Sequence, residues 1–311
     1  MKLIATFLFF VLSVTTHAQY FSGEIEYETS IILKDTSLSL DSIWSLKNGS
    51  TSKYLISPNL YKSTYLDNGN VTYVYTYDDV SKRMYDEVPD SPYITYRDSR
   101  KSNYEYYGSK INRDSIVEVL GRECFAVHYD SEYGKSTTFY SDEIKVDYES
   151  FKGHKVGNWY EKLKEVNGCI TMKAITEFED YIEIREAVKI TSLELTRDDF
   201  EVPSDKIIVA SYSALDKPAQ IVEPTQKQIE CYQQKIREGQ QKKPDAEKIT
   251  CYLSFVLTKN GEIKYVEPVD MEHPELNTIA LDILNSCSMQ FTPGEINGRP
   301  VSSLTYLPVE F

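Results

Sequence analysis

Ser50 and Lys53 have the spacing in this sequence that most resembles a catalytic pair. A serine three residues before a lysine is the arrangement of serine acyl-enzymes, in which the lysine can take the proton of the nucleophile. That chemistry needs both side chains on one face of a helix. The residues around Ser50 instead indicate a turn followed by a strand. A serine hydrolase is therefore kept only as a minor alternative.

Histidines and cysteines could hold a metal, but their spacing does not favour one. His128, His154 and His273 lie far apart, and neither an H-E-x-x-H nor a C-x-x-C motif is present. The 5 cysteines allow one or two disulfides and leave at least one thiol free. The sequence leaves their pairing open. We predict no catalytic residue, no metal site and no cofactor.

The composition excludes two classes of partner. The 311 residues include 34 Lys and Arg against 48 Asp and Glu, which gives a net charge of −14. Duplex nucleic acid and anionic membrane surfaces both need clustered cations, so neither is expected as a partner. Tyrosine, with 25 residues, outnumbers the 12 phenylalanines. Tyrosine suits strands with one dry face, because its ring can be buried while its hydroxyl stays hydrated.

The first 18 residues have the pattern of a secretory signal peptide. Lys2 precedes a mostly apolar run over residues 3–14, and small residues lead up to Ala18. A membrane-spanning helix needs roughly 17 or more apolar residues, and this run is shorter. We expect cleavage after Ala18, no integral membrane span afterwards, and a mature protein in the periplasm or associated with the outer membrane.

Residues 19–212 alternate between apolar and polar positions, which is the period of a half-buried strand. Glu24, Glu26 and Glu28 alternate with apolar residues, so three carboxylates share one wet face. A later segment repeats the alternation with tyrosines at positions 73, 75 and 77. The pattern predicts a long antiparallel sheet curled around a core, with few and short helices.

The pattern changes after residue 212. Residues 213–224 hold two prolines and little periodicity, which predicts a linker. Residues 225–311 then predict the order α-β-β-α-β, with helices on one face of a small antiparallel sheet. The first helix begins at Thr225 and is expected to stop at Gly239, and the second begins at Pro274. The whole chain is therefore expected to be an α+β protein.

A distinctive string with many turn residues stands near the end of the chain. It reads Phe291-Thr292-Pro293-Gly294-Glu295-Ile296-Asn297-Gly298-Arg299-Pro300-Val301, and the terminal residues are Leu307-Pro308-Val309-Glu310-Phe311. The residues Phe255-Val256-Leu257, Asn260-Gly261-Glu262-Ile263 and Ala280 precede this string. With these residues the segment from about 225 to 311 resembles the TonB C-terminal domain family. The motif positions, to which the resemblance gives a structural role, are Asn260, Gly261, Phe291, Pro293, Gly294, Asn297, Gly298, Arg299, Pro300, Pro308 and Phe311.

Three strings in the N-terminal part carry a resemblance at the level of architecture. They are Leu120-Gly121-Arg122-Glu123-Cys124, Thr138-Phe139-Tyr140-Ser141-Asp142-Glu143-Ile144 and Phe200-Glu201-Val202-Pro203. Residues 19–212 are similar in these strings to exported proteins with a LolA-like curled sheet, a half-barrel. The resemblance implies a hydrophobic concavity that could hold an acyl chain or an apolar peptide.

The TonB-like resemblance implies a binding edge on the last strand. In that family a receptor segment adds to the free edge through main-chain hydrogen bonds. The corresponding residues here are Val301, Leu304, Thr305 and Tyr306. Pro308 has no N–H to donate, so strand pairing should end there. The expected partner is an envelope protein such as a TonB-dependent outer-membrane receptor.

These expectations give one main function and two alternatives. The sequence shows no inner-membrane anchor and no long proline-rich spacer, so we expect a non-enzymatic binding module rather than an energy transducer. The first alternative is a periplasmic carrier that holds a lipid, a lipoprotein or another apolar ligand in the N-terminal curled sheet. The second alternative is the serine hydrolase that would use Ser50 and Lys53.

Overall fold

The computed structural model describes residues 20–35, 37–45, 47–102, 105–132, 134–242 and 248–311. Residues 1–18, for which the sequence predicts a signal peptide, lie outside the described residues. Among the helices of the described part, none is long and apolar enough to cross a membrane.

The N-terminal two thirds of the chain consist mainly of strands. In chain order they are β1 (Gly23–Leu33), β2 (Thr51–Ser57), β3 (Leu60–Asp67), β4 (Asn70–Asp78), β5 (Arg83–Glu87), β6 (Tyr93–Asp98), β7 (Tyr106–Val119), β8 (Arg122–Ser131), β9 (Gly134–Lys145), β10 (Cys169–Glu177), β11 (Tyr181–Ser192), β12 (Ile207–Ala210) and β13 (Gln220–Ile221). The helices are α1 (Leu40–Trp44), α2 (Trp159–Glu165) and the 3-10 helices Tyr148–Phe151, Val156–Asn158, Arg197–Phe200 and Tyr212–Ala214.

The C-terminal part has two longer helices and a small sheet. Its elements are α3 (Gln226–Lys242), β14 (Thr250–Leu257), β15 (Ile263–Pro268), α4 (Pro274–Ser286), β16 (Phe291–Thr292), β17 (Glu295–Ile296), β18 (Arg299–Pro300) and β19 (Ser303–Glu310). The sheet order β15-β14-β19 places the last strand beside the first. Both helices pack on one face of these strands, around a core that includes Phe255, Ile283 and Leu307.

The protein is mostly β, with 49% strand, and most of its strands belong to one large curled sheet. The strand order is β15-β14-β19-β12-β6-β5-β4-β3-β2-β1-β11-β10-β9-β8-β7. Neighbours from β1 to β6 and from β7 to β11 pair antiparallel, as the alternation in the sequence predicts. Strand β12 pairs in parallel with β6, and its Ala210 pairs in parallel with Ser303 of β19. The two parts therefore share one sheet.

One face of the N-terminal sheet is apolar and aromatic, and we call it the inner face. Ile25, Tyr27, Tyr54, Tyr61 and Tyr77 are buried on it. Residues 146–168, which connect β9 to β10, lie over this face and contribute their own apolar side chains to the same core. We call residues 146–168 the covering segment. The glutamates of β1 lie on the opposite face, where Glu26 pairs with Lys189.

The first C-terminal helix does not stop where the sequence predicts. Gly239 lies inside α3, which continues to Lys242. A Cβ atom at Gly239 would lie 2.2 Å from the ring of Phe311. Glycine is therefore present because the last residue of the chain packs against the helix, and not because the helix ends.

Residues 213–224, which the sequence predicts to be a linker, are paired with the C-terminal loops. Ile221 pairs with Phe291 across β13 and β16. The N–H of Glu295 donates to the carbonyl of Lys217 over 2.9 Å. This segment therefore follows a definite path along the string that ends the chain.

A disulfide joins the two C-terminal helices. Cys231 of α3 bonds to Cys287, the residue that follows α4. The remaining thiols, Cys124, Cys169 and Cys251, are buried and free. The structure thus selects one pairing among those that the sequence left open.

Reduction of this disulfide should destabilise the protein. A bond that closes a loop of 56 residues removes conformational freedom from the unfolded chain, and we expect the Cys231→Ala/Cys287→Ala variant to lose about 2–4 kcal/mol of unfolding free energy. Urea unfolding with and without a reductant measures the effect. The reductant should shift wild type and leave the double variant unchanged; a wild-type curve that does not respond would contradict the prediction.

Candidate functional site

The serine–lysine pair does not form a helical site. Ser50 directly precedes β2, and Lys53 lies on that strand with its side chain exposed. Tyr54, the next residue, is buried on the inner face, so Lys53 points to the opposite face. A serine hydrolase thus has no helix here to align its nucleophile and its base.

The predicted partner-binding residues fall at the beginning of β19. Leu304, Thr305 and Tyr306 lie on this strand, whereas Val301 precedes it and donates its N–H to the carbonyl of Gly294 over 2.9 Å. Thr305 is buried on the helix-covered face, and the Tyr306 side chain is 48% exposed. The structure therefore brings three of the four residues onto one strand.

The hydrogen-bond phase of β19 shows which backbone groups point outward. Phe311 and Ile249 exchange both of their backbone hydrogen bonds, and β19 pairs with β14 without a bulge. Hydrogen-bonded pairs alternate along an antiparallel ladder, so the odd-numbered residues of β19 bond to β14. The N–H and C=O of Tyr306 therefore point away from β14, and Pro308, in the same phase, has no N–H.

The outward edge of β19 has a partner at one end only. Ser303 pairs with Ala210, and within the described part of the chain no further strand pairs with this edge. Next to it lies a groove of about 460 Å³, whose lining includes Leu307 and Pro308 of β19 together with Val222 and Ile229. An unpaired edge beside an apolar groove can accept an extended chain segment.

Several of the other motif residues form turns. Asn297 and Gly298 both have positive φ and connect β17 to β18 as a two-residue hairpin, the conformation that favours this pair of residues. A Cβ atom at Gly294 would meet the Leu215 side chain at 2.7 Å. Asn260 and Gly261 form the turn between β14 and β15. These residues shape loops, whereas Phe291 lies on β16 and Arg299 and Pro300 lie on β18.

The inner face is a second candidate site, and its tyrosines form a continuous aromatic cluster. Tyr61 contacts Tyr54, Tyr75 and Tyr77 with ring centroids 5.2–5.9 Å apart. Tyr65 and Tyr73 extend the cluster from Tyr75, at 6.0 and 6.2 Å. Each such pair typically contributes about 0.5–1.5 kcal/mol beyond its burial.

The covering segment closes one end of this cluster with rings of its own. Trp159 of α2 packs against Tyr54 and Tyr61, with centroids 6.1 and 5.4 Å apart. Phe151 packs at 6.1 Å from Tyr61. Beyond the covering segment Tyr65, Tyr73 and Tyr75 remain only partly buried. The accessible end of the cluster therefore lies at these three tyrosines.

His154 connects the covering segment to the sheet. Its ring stacks on Tyr77 with centroids 4.1 Å apart, and its Nε2 lies 2.5 Å from the hydroxyl of Tyr61. Its Nδ1 lies 3.5 Å from the Ser99 carbonyl, which can only accept, so Nδ1 donates and Nε2 accepts in the neutral ring. Burial lowers the pKa of His154 to about 4, which keeps the ring neutral.

Charged residues also lie on the inner face, and the sequence does not predict them. Asp86 accepts two hydrogen bonds from Arg97, of 3.0 and 2.7 Å, and a further one from Tyr73. Arg185 of β11 lies with its guanidinium 4.8 Å from the Tyr27 ring centroid. In the sequence, the only feature that marks Arg185 is that a charged residue occupies a position where the strand's alternation would place an apolar one. This feature can be recognised only when the strand register is known. The described residues contain no group of three or more metal-ligating side chains.

Acidification should weaken the structure through His154. The pKa of His154 is about 4 in the folded protein against an ordinary value of 6.5, so the unfolded chain binds the proton first as the pH falls. This residue should therefore stabilise the fold fully above pH 6.5, and that contribution, about 3 kcal/mol, should be lost between pH 6.5 and 4. Unfolding free energies of wild type and His154→Gln measured across this window test it.

The exposed His128 provides the matched control for this measurement. Its ring bonds to Thr137 at the surface, so His128→Gln should keep the wild-type pH dependence. An unchanged pH dependence in His154→Gln would refute the role given to the buried imidazole.

Comparison of the sequence with protein-family models gives no match, and comparison with curated proteins gives none either. Among solved structures, PNGF-II is similar with a TM-score of 0.36 and 9% identity, over 78% of this chain and 44% of its own. This chain therefore spans less than half of the length of PNGF-II.

Two further solved structures are similar over a smaller part of the chain. The LolA superfamily protein NE2245 from Nitrosomonas europaea gives a TM-score of 0.27 and 7% identity, over 58% of this chain and 90% of its own. A DUF1329 family protein from Desulfovibrio piger ATCC 29098 gives a TM-score of 0.24 and 9% identity, with the same coverage. Likenesses at these TM-scores do not assign the chain to a family.

Proposed function

We propose that the protein is an exported, non-enzymatic carrier that binds an apolar ligand on the inner face of its curled sheet. The observation that supports this function is the aromatic cluster, whose accessible end consists of Tyr65, Tyr73 and Tyr75. The faces of aromatic rings can pack against acyl chains of different lengths, because such contacts require no polar group at a fixed position. The periplasm is the compartment that we propose for it.

The covering segment explains how the rest of the cluster could become available to a ligand. Polar contacts join it to the sheet at several points. Besides the His154–Tyr61 bond, the Lys155 N–H donates to the Ser99 carbonyl over 2.7 Å. The Asn59 N–H donates to the Ser150 hydroxyl over 3.2 Å, and the Ser109 hydroxyl donates to the Glu165 carboxylate. The rest of its attachment is apolar packing, which includes the ring contacts of Phe151 and Trp159. An apolar ligand that enters at the accessible end can replace such ring contacts with contacts of the same kind.

A neutral apolar probe should bind at Tyr65. N-phenyl-1-naphthylamine, which fluoresces in apolar surroundings, should bind wild type and be displaced by dodecanol. Tyr65→Gln removes a ring from the accessible end and should weaken this binding roughly fivefold to thirtyfold. Tyr212→Gln, which alters a tyrosine that is 62% exposed elsewhere, should have no effect. Absence of probe binding to wild type, or equal binding by both variants, would argue against the carrier function.

The outward edge of β19 supports a second candidate function. We propose that an extended segment of an envelope protein, such as an outer-membrane receptor, can add to this edge at Leu304 and Tyr306. The specific observation is that the outward backbone groups of Tyr306 lie beside the apolar groove that Leu307 and Pro308 line. Main-chain hydrogen bonds would supply the attachment and the groove would select apolar side chains.

Removal of one outward N–H should test strand addition. Tyr306→Pro deletes this donor but leaves the ladder to β14 intact, because Pro308 already occupies the same phase. Peptides selected by wild type from a random phage library should bind Tyr306→Pro about tenfold more weakly. Tyr306→Ala keeps the N–H and should bind them like wild type. Equal binding of the selected peptides by all three proteins would exclude this edge as the docking site.

A further inference from the structure

Two arginines lie on the inner face, and only one of them has a carboxylate partner. Arg97 has its own carboxylate, Asp86, bound through two hydrogen bonds. For Arg185 the described residues supply neither a hydrogen-bond acceptor nor a carboxylate within 4.0 Å of its guanidinium. Its guanidinium instead lies over the ring of Tyr27, 4.8 Å from the ring centroid, and Tyr65 and Tyr75 are close enough to influence its pKa. Arg185 is only partly buried, so an anion from outside can reach its guanidinium and supply the carboxylate partner that Arg97 already has.

The carboxylate that influences the pKa of Arg185 is already engaged by another cation. Glu183 lies two residues before Arg185 on β11 and so on the same face, but its carboxylate contacts the Lys47 ammonium at 2.5 Å. These three residues together carry one excess positive charge. The tyrosines cannot neutralise it, because burial raises the pKa of Tyr27 and of Tyr75 far above the ordinary value and keeps both hydroxyls protonated.

Two more hydrogen-bond donors in the same cluster have no acceptor. The Tyr54 hydroxyl and the Trp159 ring N–H are buried, and neither has a hydrogen-bond partner among the described residues. Their rings pack 6.1 Å apart, and Tyr54 is close enough to Arg185 for the guanidinium to influence its hydroxyl. Donors that lack acceptors favour an acceptor-rich ligand, because each buried unpaired donor costs free energy.

We propose that Arg185 binds the oxyanion headgroup, a carboxylate or a phosphate monoester, of an amphipathic ligand whose apolar chain lies on the inner face. This inference rests on the proposed carrier function and narrows its ligand to a singly or doubly charged anionic amphiphile. The headgroup supplies the missing counter-charge for Arg185 and acceptor atoms for the neighbouring donors. The rings around the site bury the first part of the chain.

Ligands that differ only in the headgroup test this proposal. Dodecanol, dodecanoate and dodecyl phosphate displace the neutral probe N-phenyl-1-naphthylamine from the full chain, and their displacement constants give the affinities. Wild type should prefer at least one of the two anions over dodecanol by about tenfold or more. The stronger of the two identifies a carboxylate or a phosphate as the headgroup.

Variants assign the preference to Arg185. Arg185→Met keeps the length of the side chain without the charge, and it should abolish the preference for the anion while dodecanol binds as to wild type. Lys53→Gln removes one charge from the opposite face of the sheet and should keep the preference. A preference that persists in Arg185→Met overturns the proposal.

Two other outcomes separate this inference from the function on which it rests. Equal affinity of wild type for all three ligands overturns the Arg185 site and leaves the apolar carrier intact. Failure of all three to bind overturns both. If Arg185→Met does not fold, NMR of carboxyl-labelled dodecanoate bound to wild type tests the proposal instead. Beside the Arg185 guanidinium, the carboxyl group of the ligand should stay ionised to a lower pH than in free solution. A pKa of the bound carboxyl equal to that in free solution overturns the proposal.

Discussion

A buried tyrosine stabilises a sheet only if its hydroxyl keeps a hydrogen-bond partner, and this requirement organises the N-terminal sheet. Two of the inner-face hydroxyls find their partners far from their own strands. Tyr27 on β1 donates to the Thr171 carbonyl of β10 over 2.7 Å, across the intervening β11, which requires the sheet to curl. Tyr61 bonds to His154, so the covering segment supplies a polar partner as well as apolar rings. Tyr54, without such a partner, marks the place where this arrangement is incomplete.

Alternation along the sequence was sufficient to predict the strands and their wet and dry faces. Tyr73, Tyr75 and Tyr77 share the inner face because side chains two residues apart in a strand must do so. The site around Arg185 could not be predicted in this way. Its neighbour Tyr27 lies on a strand far away in sequence, and an irregularity at Glu26 and Tyr27 shifts the pairing of β1 with β11. One residue of register decides which face a charge occupies, and local patterns do not contain that information.

In the C-terminal part, too, features that depend on neighbouring residues could be predicted from the sequence, whereas features that depend on distant residues could not. Helical periodicity and Pro274 at the first turn were sufficient to locate α4. Gly239 was misread as a helix end because a glycine in that position usually is one, whereas the ring that requires it belongs to the last residue of the chain. The parallel pairing of β12 with β6 and β19 joins the two parts of the protein through a strand of only four residues, Ile207–Ala210, too short for its periodicity to be distinctive.

The position of the tryptophans has a spectroscopic consequence. The sequence has 2 tryptophans, and both lie in helices: Trp44 in α1 and Trp159 in α2. Trp159 is 5.4–6.1 Å from the tyrosines that it contacts, a distance at which excitation absorbed by those rings passes efficiently to the indole. Light absorbed by tyrosines of the sheet is thus emitted by Trp159 in the covering segment. In a Trp44→Phe background, Trp159 emission excited where both ring types absorb can be compared with its emission excited where only indole absorbs. The ratio of the two emissions then reports the separation between the covering segment and the tyrosines of the sheet.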